Sequence, residues 1–122
     1  MRRVLVVEDN PDGAETLARL LRMSGHEVRT ALDGPIALEI ADAFRPEVVL
    51  LDIGLPGMSG YEVATLLRQL PGMATALLVA LTGYGQDRDR DLSRQAGFDQ
   101  HLTKPVDHLA LLRLLDSPAR GR

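Results

Sequence analysis

The chain contains no cysteine, and aromatic residues make up only 3% of its 122 residues. Without cysteine it can have neither a disulfide framework nor a thiolate metal site. No apolar run approaches the roughly 18 residues of a membrane helix, so no membrane insertion is expected. The apolar run after Met1 is too short for a signal peptide, and we expect a cytoplasmic protein. The net charge of −3 provides no basic face, so direct nucleic-acid binding is not expected.

Lysine is almost absent as well. Of the 14 basic residues, 13 are arginine, and Lys104 is the single lysine. A compact ammonium binds phosphate as a point charge, whereas a guanidinium binds as a planar fork. A lone lysine in a background of arginine therefore predicts a position specified by chemistry.

Strand-like apolar runs alternate with amphipathic stretches, and this order predicts a doubly wound α/β sheet in one domain, residues 1–122. The third strand is nearly all apolar, as a central strand would be, and the second alternates, as an edge strand would. The fourth helix is mostly polar, so we expect it to be the most mobile. The tail from about residue 117 is expected to fray. The predicted strands are 3–7, 27–30, 47–51, 76–81 and 98–102, and the predicted helices are 13–23, 35–43, the segment from the 54–60 loop to residue 70, 86–96 and 109–115.

Polar residues follow four of these strands. In an open parallel sheet the carboxyl ends of the strands share one edge, where ligands bind. Three carboxylates, one hydroxyl and one ammonium would meet there, a set that suits a divalent cation and a phosphoryl group. These residues are Glu8, Asp9, Asp52, Thr82 and Lys104.

The acidic residues fit Mg²⁺, which takes oxygen ligands and keeps several waters. One or both of Glu8 and Asp9, with Asp52 and a backbone carbonyl near Gly54, would supply the protein ligands. A carboxylate beside a cation, such as Asp52, can also attack phosphorus. Blander interpretations stay open for each residue alone: Asp52 as a turn residue, Glu8 and Asp9 as a solvated loop with Asp12 capping the first helix, and Thr82 as a helix start.

Taken together, these residues resemble the receiver domain of two-component response regulators, from about residue 3 to residue 115. The motifs stand in the order and spacing of that family, and the set is highly specific. The resemblance implies a flavodoxin-like fold with strand order 2-1-3-4-5. The matching motifs are Val-Glu-Asp-Asn at 7–10, Leu-Leu-Asp-Ile-Gly-Leu-Pro-Gly-Met-Ser-Gly at 50–60, Leu-Thr-Gly-Tyr at 81–84 and Leu-Thr-Lys-Pro at 102–105.

The resemblance also implies a role for each site residue. Asp52 would be the phosphoacceptor, and Glu8 and Asp9 would form the acidic pair for Mg²⁺. Thr82 would be the switch hydroxyl, and Lys104 would contact the phosphoryl group. The surface around the fourth helix would then shift and carry the output. The chain would not be an enzyme beyond phosphorylating itself from donors and losing the phosphoryl group again.

One position departs from the family pattern. Many receivers carry Tyr or Phe three residues before the lysine, and that ring turns inward on activation. Here the position is His101, so the aromatic form of the switch is in doubt, and Tyr84 does not occupy the same place. His101, Tyr84 and Pro105 are our candidates for switching or partner contact, and His101 would serve as a partner contact if it lies on the surface of the last strand. The Lys104–Pro105 bond resembles the cis bond of the family.

The resemblance also suggests partners. The segments 81–86 and 96–107 look most like receivers attached to hybrid sensor histidine kinases, so the chain is expected to belong to a phosphorelay, while a stand-alone receiver and a fragment of a longer protein both stay open. The donor would be a histidine kinase or a histidine phosphotransfer protein. A weak homodimer is a further option. His26, His101 and His108 show no metal-ligand spacing.

Two rival functions share part of this pattern. A phosphohydrolase of the haloacid dehalogenase type also uses a strand-end Asp with Mg²⁺, but it needs a second Asp two positions on, where this chain has Gly54. A flavodoxin-like nucleotide or flavin binder needs a phosphate-cradling loop after the first strand. That loop, residues 8–12, is acidic here, and few aromatic residues are available to stack a flavin.

Overall fold

The structure of the protein is a computed structural model that describes residues 1–83 and 90–116, without the side chains of residues 90–92. In these ranges, five strands alternate with five helices. Most elements lie within one or two residues of the predicted bounds, which confirms the α/β alternation. The elements are β1 (Arg3–Val7), α1 (Pro11–Met23), β2 (Glu27–Ala31), α2 (Gly34–Phe44), β3 (Val48–Asp52), α3 (Gly60–Gln69), β4 (Leu77–Thr82), α4 (Arg90–Ala96), β5 (Gln100–Thr103) and α5 (His108–Leu115).

The strands form one parallel sheet in the order β2-β1-β3-β4-β5, as expected. All five residues of β3 are buried, which agrees with its central place, and β2 is a partly exposed edge. Strands β3 and β4 each end one residue later than predicted. Asp52 and Thr82 are therefore the last residues of their strands, and both remain in the register of the sheet.

The core lies on both faces of the sheet, because successive strand side chains point to opposite faces. Leu5 and Val7 of β1 pack on one face with apolar residues of α2 and α3, while Val4 and Val6 pack on the other with residues of α1 and α5. Two covered faces explain why the inner strands are apolar throughout. None of the helices in the described residues is both long and apolar enough to cross a membrane.

The start of α1 corrects a prediction. Asn10, not Asp12, caps this helix: its Oδ1 accepts hydrogen bonds from the N–H groups of Asp12 (3.0 Å) and Gly13 (3.3 Å). Asn10 is extended, as a cap residue must be, and Pro11 takes the first helical position, where no N–H is needed. Asp12 instead lies in the first turn, where its charge favours the helix dipole.

The end of α4 shortens the last strand. Strand β5 begins at Gln100 and not at Phe98, because the Phe98 N–H donates to the Ser93 carbonyl (3.0 Å) and so belongs to the helix end. Gly97 ends the helix with a φ of +101°, as its glycine predicted. The predicted start of this helix, residues 86–89, lies outside the described residues.

Arg68, near the end of α3, holds the lower part of α4 and β5. Its Nε and Nη2 donate to the Gly97 carbonyl at 3.1 and 2.6 Å, and Nη2 also pairs with Asp99 Oδ2 at 2.8 Å. Nη1 donates to the carbonyls of Met73 and Ala76 at 3.0 and 2.7 Å. One guanidinium thus joins the segment before β4 to the turn before β5.

Candidate functional site

Three charged residues predicted for the site meet at the carboxyl edge of the sheet. Lys104 Nζ donates to Asp52 Oδ2 at 2.7 Å and to Glu8 Oε2 at 2.8 Å. The residues come from three strand ends that are far apart in sequence, and the parallel sheet brings them together. The single lysine of the chain therefore bridges two carboxylates.

Backbone hydrogen bonds fix the three residues in place. Glu8 follows β1, and its N–H donates to the Ala31 carbonyl of β2 at 3.0 Å. Lys104 follows β5, and its N–H donates to the Thr82 carbonyl of β4 at 2.8 Å. The sheet pairing therefore continues one residue beyond each strand and leaves little freedom in where the side chains start.

The loop after Asp52 is held just as closely. The Gly54 N–H donates to Asp52 Oδ1 at 2.8 Å. Gly60, the first residue of α3, packs against the same backbone, and a Cβ there would lie 2.4 Å from the Ile53 Cα and 2.7 Å from the Asp52 carbonyl oxygen. Only glycine allows this approach. The start of α3 therefore rests directly on the strand end that carries Asp52.

Burial divides the two carboxylic acids. Burial, and after it the neighbouring Asp52, raise the pKa of Glu8 from 4.5 to about 7 against the opposing effect of Lys104. Burial also opposes ionisation of Asp52, yet hydrogen bonds with Glu8, Lys104 and the Gly54 N–H hold its pKa below the usual value. Near neutral pH, Asp52 is therefore the ionised carboxylate, and a proton on the pair resides on Glu8.

Lys104 carries a full positive charge in this setting. Burial alone would lower its pKa, but the bonds to Asp52 and Glu8 more than offset that effect, and the pKa is raised. An ammonium has three N–H donors, and the two carboxylates take two of them. Within the part of the chain that the structure describes, nothing takes the third, which remains for a ligand.

Asp9 completes a group suited to a cation. Glu8, Asp9 and Asp52 each offer a carboxylate oxygen, and these oxygens lie within 4.8 Å of one another. Glu8 and Asp52 are buried, while Asp9 is exposed. Hard oxygen ligands with one side open to water are what Mg²⁺ prefers, so the donor set fits the ion. The carbonyl of Gly54 as a fourth ligand stays a prediction.

Thr82 is buried beside this cluster, with 1% of its surface exposed. Its Oγ1 lies 3.5 Å from the Leu102 carbonyl of β5, at the limit for a hydrogen bond. A hydroxyl so weakly held in place can turn to another acceptor at little cost. Its role as a switch stays a prediction.

The three residues named for switching or partner contact have different outcomes. Pro105 follows Lys104 through a cis bond, as the resemblance implied. His101 is half-buried, and its Nε2 lies 2.7 Å from the buried Ser93 Oγ of α4, a contact that the sequence did not suggest. Tyr84 lies outside the described residues.

A groove of about 300 Å³ opens beside Lys104, between α1 and the segment leading into α5. Glu8 and Lys104 are among the residues that line it, so the groove borders the charged cluster. Sequence analysis missed it, because its walls come from segments about ninety residues apart. The other residues that line it are Gly13, Thr16, Leu17, Leu81, Pro105, Val106 and His108.

Comparisons with known proteins agree on one family. Residues 4–116 match the response regulator receiver domain. Protein PilH of Pseudomonas aeruginosa is 31% identical over 121 residues, which are 99% of this chain and 100% of PilH. Transcriptional regulatory protein PrrA of Mycobacterium leprae is 41% identical over 103 residues, which are 84% of this chain and 43% of PrrA.

A solved structure extends the likeness to the site. The receiver domain of sensor histidine kinase PA1611 from Pseudomonas aeruginosa, which has a magnesium ion coordinated in its active site cleft, is 32% identical and superposes with a TM-score of 0.83 over 93% of each chain. Receiver domains are phosphoacceptor switches that work with histidine kinases or phosphotransfer proteins. With this sheet order and this family match over almost its whole length, the chain belongs to the response regulator receiver domain family.

Proposed function

We propose that Asp52 accepts a phosphoryl group from a phosphohistidine of a partner protein and that the chain is a signalling switch in a phosphorelay. The observation that carries this proposal is the cluster of Lys104, Asp52 and Glu8, with nitrogen–oxygen distances of 2.7 and 2.8 Å. It joins an ionised, buried carboxylate to the ammonium of the single lysine of the chain. A buried pair of this kind suits attack on phosphorus, unlike an ordinary ion pair at the surface.

The reaction is a transfer between two nucleophiles. An oxygen of the Asp52 carboxylate attacks phosphorus, the phosphorus–nitrogen bond breaks, and its electron pair returns to the imidazole of the donor. The product is an acyl phosphate on Asp52. Lys104 offsets negative charge on the transferring group, which is the main work that a protein does in phosphoryl transfer.

We assign Mg²⁺ to the carboxylates of Glu8, Asp9 and Asp52. When bound, the ion supplies positive charge that the phosphoryl oxygens need and that Lys104 alone does not provide. The buried Glu8 must be ionised to bind it, and its pKa of about 7 allows this near neutral pH. The exposed Asp9 leaves one side of the site open to the donor.

Readout of the phosphoryl group follows from the neighbours of Asp52. Adding this charge gives new acceptor oxygens to the Thr82 hydroxyl and to the third N–H of Lys104. Thr82 ends β4, directly before the segment that leads to α4. Rotation of its side chain would shift the conformational equilibrium of that segment and of the surface around α4.

The partner would dock over the groove beside Lys104. The groove borders Glu8 and Lys104 and is mostly apolar, with Leu17 and Val106 in its walls. A helix that carries a phosphohistidine would cover these apolar groups and place its ring near Asp52. The two rival functions, a phosphohydrolase and a flavin binder, are not proposed, because the family match covers residues 4–116.

The test is covalent labelling by a small phosphodonor. Incubation with acetyl phosphate and Mg²⁺ should add one phosphoryl mass to the wild type, and a chelator should prevent the addition. Asp52→Asn should take up none. Asp42→Asn is the matched control, because Asp42 is an exposed carboxylate on α2, and it should label like the wild type. Equal labelling of Asp52→Asn, or undiminished labelling with chelator, would overturn the proposal.

A further inference from the structure

The position that departs from the family pattern has its own partner in this chain. His101 Nε2 and Ser93 Oγ lie 2.7 Å apart, and Ser93 is only 1% exposed. A buried hydroxyl needs a hydrogen-bond partner, and losing one leaves an unsatisfied polar group. The contact therefore has a cost if it breaks, unlike a contact between two exposed side chains.

This hydrogen bond joins α4 to β5. Ser93 lies in α4, and His101 is the second residue of β5. A serine hydroxyl both donates and accepts, so the bond persists whichever ring nitrogen of His101 carries the proton. The imidazole thus directs itself toward α4, on the same side as Phe98, whose ring centroid is 6.2 Å away.

The Phe98 ring continues the contact toward the phosphoacceptor. It meets the Tyr61 ring edge-on, with centroids 6.1 Å apart and planes at 79°. Tyr61 follows Gly60, which rests on the backbone of Asp52 and Ile53. A continuous set of contacts therefore runs from the strand end that carries Asp52, through the start of α3, to His101 and α4.

A second connection reaches His101 along its own strand. Lys104 lies three residues after His101, and its N–H is bonded to the Thr82 carbonyl. In the sheet, His101 is paired with Ala80, two residues before Thr82. A change in the strand ends that carry Thr82 and Lys104 is therefore close in the backbone to the residue that holds α4.

We propose that Ser93 is a positioning residue that holds His101 against α4, and that their hydrogen bond couples the phosphorylation site to α4 in place of an inward-turning aromatic ring. The second part rests on the proposed function of Asp52. Phosphorylation would change the strength of the Ser93–His101 bond, and the bond would set how firmly α4 is anchored.

The first experiment measures the anchor without phosphorylation. Native-state hydrogen exchange of the amides of residues 93–97 is compared in the wild type, Ser93→Ala, His101→Leu and the double variant. Loss of one hydrogen bond should speed exchange about fivefold in each single variant. The double variant should exchange no faster than either single variant, because both changes remove the same bond.

Two controls separate this bond from general loosening. His101→Gln carries an amide group at about the reach of Nε2 and should restore slow exchange at residues 93–97. Ser24→Ala removes a serine hydroxyl that bonds the Leu20 carbonyl at the end of α1, so it should leave residues 93–97 unchanged. Additive effects of Ser93→Ala and His101→Leu would overturn the positioning role.

The second experiment tests the coupling. The same four proteins are measured after addition of Mg²⁺ and beryllofluoride, a mimic of the phosphoryl group on Asp52. The non-additive part of the exchange effect should change at least threefold between the two states. An unchanged value would show that the bond only supports the fold and would overturn the coupling.

Failure of the proposed function would look different. If acetyl phosphate does not label Asp52 in the wild type, the proposed function and the coupling both fall. The non-additivity measured without a phosphoryl mimic would still decide the positioning role of Ser93, because that experiment needs no modification of Asp52.

Discussion

Two ionic clusters of this molecule use similar parts in opposite ways. At the carboxyl edge of the sheet, Lys104 lies between Glu8 and Asp52. Within the described residues its third N–H has no acceptor, and it remains for a ligand. On the side of the sheet below α4, Arg68 places all three of its nitrogens on acceptors, including Asp99. One cluster is open to an ion and a phosphoryl group, and the other is closed.

The difference lies in what surrounds the charges. Arg68 donates mainly to backbone carbonyls, so its hydrogen bonds hold α3, β4 and the α4–β5 turn together. Lys104 faces two buried carboxylates, and burial, together with the neighbouring Asp52, raises the pKa of Glu8. A closed cluster stabilises the fold, whereas an open cluster stores an unfavourable interaction that a ligand can relieve.

The largest expected effect falls on the closed cluster. Arg68→Ala should lower the free energy of unfolding by about 3 kcal/mol, because it removes the ion pair with Asp99 and the donor to several carbonyls in a mostly buried place. The measurement is urea denaturation. Arg19→Ala is the control: Arg19 is exposed and pairs with Glu15 at 3.4 Å on α1, so its loss should cost under 1 kcal/mol. Similar losses in both variants would contradict the comparison.

The open cluster should show itself in the pH dependence of stability. The folded pKa of Glu8 is raised to about 7, so the folded protein binds a proton more tightly than the unfolded chain. Without Mg²⁺, stability should therefore fall as pH rises from about 4.5 to about 7, on the order of 2 to 3 kcal/mol. Glu8→Gln should remove this fall.

Other groups make the difference between these two proteins the quantity to measure. The pKa of His26 is lowered by burial and by the N-terminal amine, so its contribution is present above pH 6.5 and is lost as pH falls. The contribution of Asp52, whose pKa is lowered, is lost only below its usual value of 3.8 and so outside the pH range compared. The contribution of His26 remains in Glu8→Gln and cancels. A difference that does not vary between pH 4.5 and 7 would refute the raised pKa of Glu8.

Removing the ammonium should slow the chemistry more than it changes the fold. Lys104→Ala should be labelled by acetyl phosphate at least about tenfold more slowly, because the variant lacks the ammonium that offsets negative charge on the transferring phosphoryl group. Arg113→Ala, at an exposed position of α5, should label at the wild-type rate. Intact mass against time gives both rates. An unchanged rate in Lys104→Ala would mean that Lys104 only balances the carboxylates.

The smallest effect is expected at the rim of the open cluster. Asp9→Asn should weaken Mg²⁺ binding by only about three- to tenfold, since an exposed ligand competes with water for the ion. Following amide shifts by NMR during a Mg²⁺ titration measures this. Asp42→Asn should titrate like the wild type. If Asp9→Asn also does, Asp9 belongs to a solvated loop and not to the metal site.

The open cluster was predictable from sequence and the closed one was not. Strand ends of a parallel sheet share an edge, so Glu8, Asp52 and Lys104 had to meet once the strands were recognised. Arg68 gave no signal, because an arginine near a helix end usually faces solvent. Its partners are mostly backbone carbonyls. Every residue carries one, so the sequence does not show which of them will accept a hydrogen bond.

Contacts that depend on the rotation of a helix about its axis could not be predicted from the sequence either. Ser93 looked like one polar residue in a polar helix, and nothing in its spacing pointed to His101. Asp12 and Asn10 are equally suited by residue type to cap α1, and Asn10 takes this position before Pro11. The periods of strands and helices predict which elements form, while the choice between neighbouring polar residues depends on backbone angles that no period encodes.

The scarcity of lysine has a practical consequence. Reagents that acylate primary amines have two targets in this chain, the amine of Met1 and the Nζ of Lys104. The Met1 amine is an ordinary α-amine, whereas the Lys104 Nζ is hydrogen-bonded to Asp52 and Glu8. The acylated fraction of one peptide would therefore report how tightly those carboxylates hold their ammonium. The protein carries a built-in chemical reporter of its own site, with no label to be engineered.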